Sequence, residues 1–178
     1  MSLIASSFRA SSRLRWAAAL AAILLAGGVG ARAEESRLHP RVQAVLLKKI
    51  LAYDRTLEGK TARIAVVGHS PSVLVEALKS VGLDASAATL AQVEEADPPY
   101  SAVYALPGAL STRLAEACSR VKALSFAGEA GPAEDGTVAV GLGALADGRP
   151  EIVIHLARSR AEAHSLSAEL LRLSRVIK

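Results

Sequence analysis

Short apolar runs that alternate with helical segments constrain the fold of this chain more than any other feature. The runs are residues 63–67, 100–106 and 122–126, and most of their side chains are apolar. Such runs are typical of strands that are buried on both faces of a parallel sheet. Between them, apolar residues recur at steps of three and four, as expected of helices that pack one face on a sheet. The alternation predicts an α/β domain with a mainly parallel sheet flanked by helices.

A further amphipathic segment precedes the first run. After Pro40, apolar side chains recur at helical spacing as far as Tyr53, which predicts a helix of about 15 residues. Val42 and Val45 belong to this apolar pattern, so we expect them on the face that packs against the core.

The last part of the chain breaks the alternation. Residues 137–141 and 151–156 are predicted strands, and Asp147-Gly148 between them is a hairpin turn signal. Apolar side chains then repeat at steps of three and four from residue 159 to residue 178, which predicts a single closing helix. The same apolar stripe suits packing on the sheet or formation of a homodimer, and the sequence leaves both open.

Residues 1–33 have the three zones of a cleaved secretory signal peptide: a basic start, an apolar stretch at 16–29 and the small-residue site Ala31-Arg32-Ala33. The apolar stretch is shorter than the roughly 20 residues that span a bilayer. We therefore expect export to the periplasm through the general pathway, cleavage before Glu34, and no membrane-spanning segment afterwards. Residues 34–178 would form one domain.

The positive net charge belongs to this leader. Four of the 21 basic residues lie in residues 1–33, which contain no Asp or Glu, and the remainder has 17 basic and 17 acidic side chains. Because the mature chain is balanced and poor in aromatic residues, we expect no nucleic acid partner.

Gly68-His69-Ser70-Pro71 follows the first apolar run and is the segment most suggestive of a site. Ser70 fits the N-cap of the next helix and Pro71 fits its first position. The free amides of such a helix start can bind a small anion. The turn also resembles a nucleophile elbow, with His155 or His164 as candidate bases, but it lacks the final glycine of that motif.

Metal and cofactor motifs are weak. The four histidines have no ligand spacing, and Cys118 lies in an apolar helical pattern, so we expect a buried thiol and no metal site. Residues 141–146 match the glycine pattern of dinucleotide-binding loops, but a turn and a strand follow where that motif needs a helix. No cofactor is predicted.

The C-terminal third resembles the YfiR-like family of periplasmic regulatory proteins. The resemblance is carried by the turn Asp147-Gly148, the strand that ends in His155-Leu156, and the segment Leu166-Ser167-Ala168-Glu169-Leu170-Leu171-Arg172-Leu173-Ser174-Arg175-Val176-Ile177. His155 stands where the family commonly has Asn, and Cys118 has no partner for the cysteine pairs that members often carry.

The resemblance implies a non-enzymatic α/β regulator that binds the periplasmic part of an inner-membrane diguanylate cyclase and represses it, in cyclic-di-GMP signalling and biofilm regulation. In a variant of this hypothesis, the partner is another membrane receptor. For the partner contacts we expect Lys48, Tyr53, Asp54 and Arg55 at the end of the first helix, because Tyr and Arg are frequent in binding hot spots. The other interpretation of these residues is a solvated helix end with Tyr53 half-buried. The alternative is a periplasmic small-ligand module that binds an anion at Gly68, His69 and Ser70.

Overall fold

The computed structural model describes residues 37–178. Its helices are α1 (Pro40–Ala52), α2 (Ser72–Ser80), α3 (Leu90–Glu95), α4 (Thr112–Val121), α5 (Gly131–Glu134), α6 (Leu156–Ala161) and α7 (Ala168–Arg172), with a 3-10 turn at Arg55–Leu57. Its strands are β1 (Arg63–Val67), β2 (Asp84–Ala87), β3 (Ala102–Ala105), β4 (Leu124–Ala127), β5 (Val140–Ala144), β6 (Pro150–His155) and β7 (Arg175–Ile177).

The strands form one seven-stranded sheet in the order β2-β1-β3-β4-β5-β6-β7. Strands β1 to β5 run in one direction, β6 pairs with β5 antiparallel, and β7 pairs with β6 in parallel. The prediction of an α/β fold with a mainly parallel sheet and an antiparallel hairpin is confirmed.

The central strands are buried on both faces, as their composition predicts. Every residue of β3 and β4 is buried, and their side chains alternate between two apolar clusters. Tyr104 and Phe126 belong to the cluster that includes α1 and α2, whereas Val103 packs in the cluster that includes Cys118 of α4. Two helical layers therefore enclose the sheet.

The glycine pattern at residues 141–146 belongs to the hairpin, as the sequence indicates. Gly141 lies in β5, and a Cβ atom there would come within 2.6 Å of the carbonyl oxygen of Glu129. The loop after β4 thus crosses directly over β5, and the glycine permits this close approach.

The predicted closing helix is wrong in extent. Helix α6 ends before Ala163, which has a φ of +63°, and a second short helix begins after Ser167, whose side chain accepts a hydrogen bond from the amide of Leu170. The final residues then add β7 to the edge of the sheet, where Arg175 Nε donates to Glu151 at 2.7 Å. Apolar spacing alone could not reveal this break, because the apolar side chains of two short helices and a strand happen to repeat at similar steps. The stripe that suggested a homodimer is therefore not one helical face.

The predicted signal peptide at 1–33 lies outside the described residues. Within residues 37–178, no helix is both long enough and apolar enough to cross a membrane.

Candidate functional site

A crevice lies where the strand order reverses. The chain leaves β1 toward β2 on one side and later returns to β3 on the other side of β1. In open α/β sheets, the carboxyl ends of two such strands diverge and leave a cleft, which is the usual position of a ligand site. Here the cleft holds a cavity of about 270 Å³. We call it the switch-point crevice; it is lined by Arg37, Leu38, Pro40, Gln43, Ser70, Val73, Leu74, Tyr104, Leu106, Pro107, Gly128 and Glu129.

A buried hydrogen-bond relay forms the inner wall of the switch-point crevice. The Tyr104 hydroxyl, on β3, donates to Gln43 Oε1 of α1, and Gln43 Nε2 donates to the carbonyl oxygen of Leu38 at 2.6 Å. Burial raises the pKa of the Tyr104 phenol well above its usual value, and the nearby Glu129 carboxylate adds to this effect. Tyr104 therefore stays neutral and serves as a fixed hydrogen-bond donor that ties α1 to the sheet.

An ion pair flanks the entrance of the switch-point crevice. Arg37 donates to Glu129 Oε1 from both Nε, at 2.7 Å, and Nη2, at 2.6 Å. Both side chains keep about two-fifths of their surface exposed. Such an exposed pair adds little stability, but it places one positive and one negative group beside the cavity.

The turn predicted to bind an anion is exposed at the same end of the sheet. Gly68, His69 and Ser70 are all exposed, and Ser70 lines the switch-point crevice. Ser70 has a φ of +56°, and Pro71 occupies the N-cap position of α2, which has no side-chain cap. The expectation that Ser70 caps this helix is therefore wrong.

The candidate bases for a catalytic Ser70 lie at the other end of the sheet. Strand β6 runs antiparallel to β5, so His155, at the carboxyl end of β6, lies beside the amino ends of the parallel strands. There its Nδ1 accepts a hydrogen bond from the amide of Arg158 at 3.1 Å and begins α6. His164 is bound to Asp54 near the same end. Neither histidine reaches Ser70, so the elbow is left without its predicted bases.

A buried ion pair joins α1 to the C-terminal segment at this amino end. His164 and Asp54 expose 3% and 0% of their side chains, and His164 Nδ1 contacts Asp54 Oδ2. The Thr56 hydroxyl donates to Asp54 Oδ1 at 2.7 Å, and His164 Nε2 lies 3.1 Å from the carbonyl oxygen of Lys122. A carboxylate and a carbonyl both accept hydrogen bonds, so His164 lies between two acceptors, one at each ring nitrogen.

Backbone pairing reinforces the same junction. The amide of Arg55 donates to the carbonyl oxygen of Ser165 at 3.0 Å, and the amide of Ser167 donates to the carbonyl oxygen of Tyr53 at 2.9 Å. We call the Asp54–His164 pair with these two bonds the α1 clasp. It fixes the end of α1 against the C-terminal segment that follows α6.

The α1 clasp changes the set of candidate partner contacts. Asp54 is buried and ion-paired, so its assignment to a binding surface is wrong. Lys48 is exposed but donates to the carbonyl oxygen of Val81 at 2.6 Å. Tyr53 is half-buried and its hydroxyl donates to Glu169, whereas Arg55 is exposed. The structure therefore leaves Tyr53 and Arg55 as the accessible members of the set, with Lys48 partly engaged.

The structure adds an exposed apolar face that sequence reasoning missed. Val42 and Val45 expose 38% and 44% of their surface, although their spacing suggested core positions. The core-facing residues of α1 are instead Gln43, Ala44, Leu47, Ile50 and Leu51. With Lys49 and Tyr53, which follow at helical spacing, the two valines form what we call the α1 outer face.

A second buried polar cluster lies between β4 and the end of α6. Glu162 is fully buried and accepts hydrogen bonds from the amide of Ser125 at 2.9 Å, from its hydroxyl at 2.6 Å and from Arg158 Nε at 2.9 Å. Burial raises the pKa of Glu162, and the bonds from Ser125 and Arg158 only partly offset this. Burial likewise raises the pKa of the neighbouring Cys118 thiol to about 12, and the prediction that this thiol is buried is confirmed. Within residues 37–178, no three His, Cys, Asp or Glu side chains come together as metal ligands.

Comparison with known proteins supports the fold and nothing finer. A solved structure described as a conserved domain protein from Vibrio cholerae O1 biovar El Tor str. N16961 matches with a TM-score of 0.53 and 16% sequence identity. The match covers 78% of this chain and 60% of that protein's chain. No family model matches the chain, and no curated protein matches it. The molecule is thus an α/β domain with a switch-point crevice, and its structural neighbour shares that fold.

Removal of the Tyr104 hydroxyl tests the relay of the crevice wall. In Tyr104→Phe, Gln43 Oε1 loses its buried donor, so we expect the free energy of unfolding to fall by about 1–2 kcal/mol. Tyr53→Phe is the matched control, because the Tyr53 hydroxyl makes an exposed bond of 3.3 Å, and its effect should stay within about 0.5 kcal/mol. Urea unfolding of both variants measures the difference, and equal losses would contradict the relay.

Acid titration tests the α1 clasp. Burial raises the pKa of a carboxyl group, but hydrogen bonds from His164 and Thr56 outweigh this and hold the pKa of Asp54 below its ordinary value of 3.8. Because the folded-state pKa is lowered, Asp54 stabilises the fold above pH 3.8, and this contribution disappears as the pH falls through the lower folded-state pKa. At neutral pH, the free energy of unfolding of Asp54→Asn should therefore be about 3 kcal/mol lower than that of the wild type. This difference should shrink as the pH falls below 3.8. Glu116→Gln, at an exposed carboxylate of α4, is the control for general acid effects. If the difference in stability between Asp54→Asn and the wild type does not depend on pH, this would argue against the clasp.

Proposed function

We propose that the protein is a non-enzymatic periplasmic regulator. It binds the periplasmic region of an inner-membrane signalling enzyme and represses that enzyme, and a diguanylate cyclase is the first candidate. The observation that carries this proposal is the resemblance of residues 147–177 to the YfiR-like proteins. In the structure, this segment forms the second strand of the hairpin, α6, α7 and the edge strand β7. It packs on α1 through the α1 clasp, so the resembling segment and the first helix form one unit.

The α1 outer face is the surface on which we place the partner. Its valines are exposed apolar side chains on a regular helix, and exposed apolar groups rimmed by polar ones are typical of protein-binding surfaces. No Asp or Glu occurs in α1, whereas Arg41, Lys48 and Lys49 do. The charge of the helix therefore suits a partner surface that combines apolar groups with carboxylates.

Tyr53 and Arg55 extend this surface past the end of α1. Tyr53 exposes part of its ring beside Glu169, and the backbone of Arg55 is fixed by its bond to Ser165. An aromatic side chain and a backbone segment that hydrogen bonds already restrain lose little conformational entropy on binding, which favours such residues as contacts.

A charge placed on the α1 outer face should relieve repression. In a host that lacks the gene, we expect cellular cyclic-di-GMP to rise, and the wild-type protein should restore it to its basal level. Val45→Glu should fail to restore it, because a carboxylate would meet an apolar and acidic partner surface. Leu145→Glu is the matched control, since Leu145 is 40% exposed just after β5 and lies outside both the α1 outer face and the switch-point crevice.

Immunoblots must show equal amounts of the two variants in the periplasm. An unchanged cyclic-di-GMP level in the deletion strain would count against a cyclase as the partner. Full repression by Val45→Glu would remove the α1 outer face from the account.

A small-ligand module is the second candidate function, and the switch-point crevice is the observation that favours it. The cavity lies where α/β proteins bind ligands, beside the exposed turn at Gly68, His69 and Ser70. Its lining combines apolar side chains with the neutral Tyr104 and the Arg37–Glu129 pair. This composition suits a small, partly apolar molecule that carries a charged group.

A ligand screen separates the two functions. If the crevice binds a ligand, a metabolite in the screen should raise the melting temperature of the purified protein in a saturable way, because binding to the folded state alone stabilises it. Leu106→Trp would fill the space beside the turn and should abolish the shift. A complete screen without any shift would leave the regulator as the better account.

A further inference from the structure

Four surface cavities lined by the described residues differ in the charge of their lining side chains. The switch-point crevice contains Glu129, a groove between α1 and α2 contains Glu76, and a cavity beneath the end of α1 contains Glu58 and Asp84. The fourth cavity, of about 360 Å³, has no carboxylate in its lining. It lies at the amino ends of β3 and β4, and we call it the amino-end cavity; it is lined by Thr56, Leu57, Lys60, Pro99, Tyr100, Ser101, Val121, Lys122, Ala163 and His164.

The cations of the amino-end cavity come from separate parts of the chain. They are Lys60, which follows the 3-10 turn, and Lys122, which ends α4. Lys60 Nζ donates to the carbonyl oxygen of Thr56 at 3.0 Å, which leaves it two further N–H groups. The carboxylate of Asp54 lies behind His164, where it is buried and already paired. The lining therefore favours negative charge.

The backbone at this cavity is held in an unfavourable conformation. Lys122 has a φ of +57° at the end of α4, a position that usually belongs to glycine. Helix α2 follows that rule, because Gly82, with a φ of +80°, stands just after its last turn. Ala163, which also lines the cavity, has a φ of +63°. Non-glycine residues in this region persist where the surroundings hold them, often at functional sites.

A lysine thus stands at a position that glycine would occupy without strain, and its side chain borders the cavity. Its backbone carbonyl accepts the hydrogen bond from His164 Nε2, a contact that glycine would provide equally well. Glycine would keep this contact and lose the whole lysine side chain, including its ammonium group. Beside it, Ser101 offers a hydroxyl and Tyr100 an aromatic ring.

We propose that the amino-end cavity binds a small oxyanion, a phosphate or carboxylate group, through the ammonium groups of Lys60 and Lys122. The site is separate from the switch-point crevice, which lies at the opposite end of the parallel strands. It is also separate from the α1 outer face, so the anion site does not depend on the proposed partner.

Isothermal titration calorimetry with inorganic phosphate and with citrate tests this site on the purified protein. We expect saturable binding of at least one probe, and the tighter one identifies the group that the site prefers. Lys60→Gln and Lys122→Gly should each weaken binding at least tenfold. Lys79→Gln, at an exposed lysine on α2, should bind as the wild type does.

Lys122→Gly also separates binding from folding. Because glycine adopts a positive φ without strain, this variant should melt at the same temperature as the wild type or above it while losing the anion. Absence of binding by the wild type, or wild-type affinity in Lys122→Gly, would overturn the proposal. Loss of binding in Ser70→Ala alone would place the anion at the turn after β1 instead.

Discussion

The burial of the central strands on both faces is the constraint on which the rest of this structure depends. Strands β3 and β4 lie between two helical layers, so a polar side chain in their interior would lose its hydration without compensation. Two polar side chains are exceptions, and both have partners. Ser125 of β4 donates to the buried Glu162, which Arg158 also contacts. The Tyr104 hydroxyl of β3 donates to Gln43. Other polar groups that could bind a ligand are accordingly displaced to the two ends of the strands.

The two ends carry different arrangements, and α1 connects them. At the carboxyl ends, Gln43 near the start of α1 forms the inner wall of the switch-point crevice with Tyr104. At the amino ends, the α1 clasp fixes the last turn of the same helix beside the amino-end cavity. The α1 outer face lies between these two anchor points. A ligand at either end would therefore contact residues that hold the helix on which we place the partner.

The sequence predicts the parts of this fold that depend on local pattern. The apolar runs, the hairpin turn at Asp147-Gly148 and the first helix follow from periodicity and turn chemistry. The closing segment does not, because the left-handed Ala163 and the pairing of β7 with β6 depend on contacts distant in sequence. Asp54 shows the same limit for the site: its residue type suggested a surface contact, but its partner His164 lies 110 positions away. Helical spacing also placed Val45 in the core, since it cannot tell which of several apolar stripes meets the sheet.

Site-specific photo-crosslinking in the native host tests the central claim, that the α1 outer face binds an inner-membrane signalling enzyme. A photoreactive amino acid at position 45 should yield a membrane-associated adduct, which mass spectrometry identifies as a protein with a cyclic-di-GMP-synthesising domain. The same group at position 145, where Leu145 is exposed outside the α1 outer face, should yield none. An adduct formed equally from both positions, or no adduct from position 45, would contradict the account.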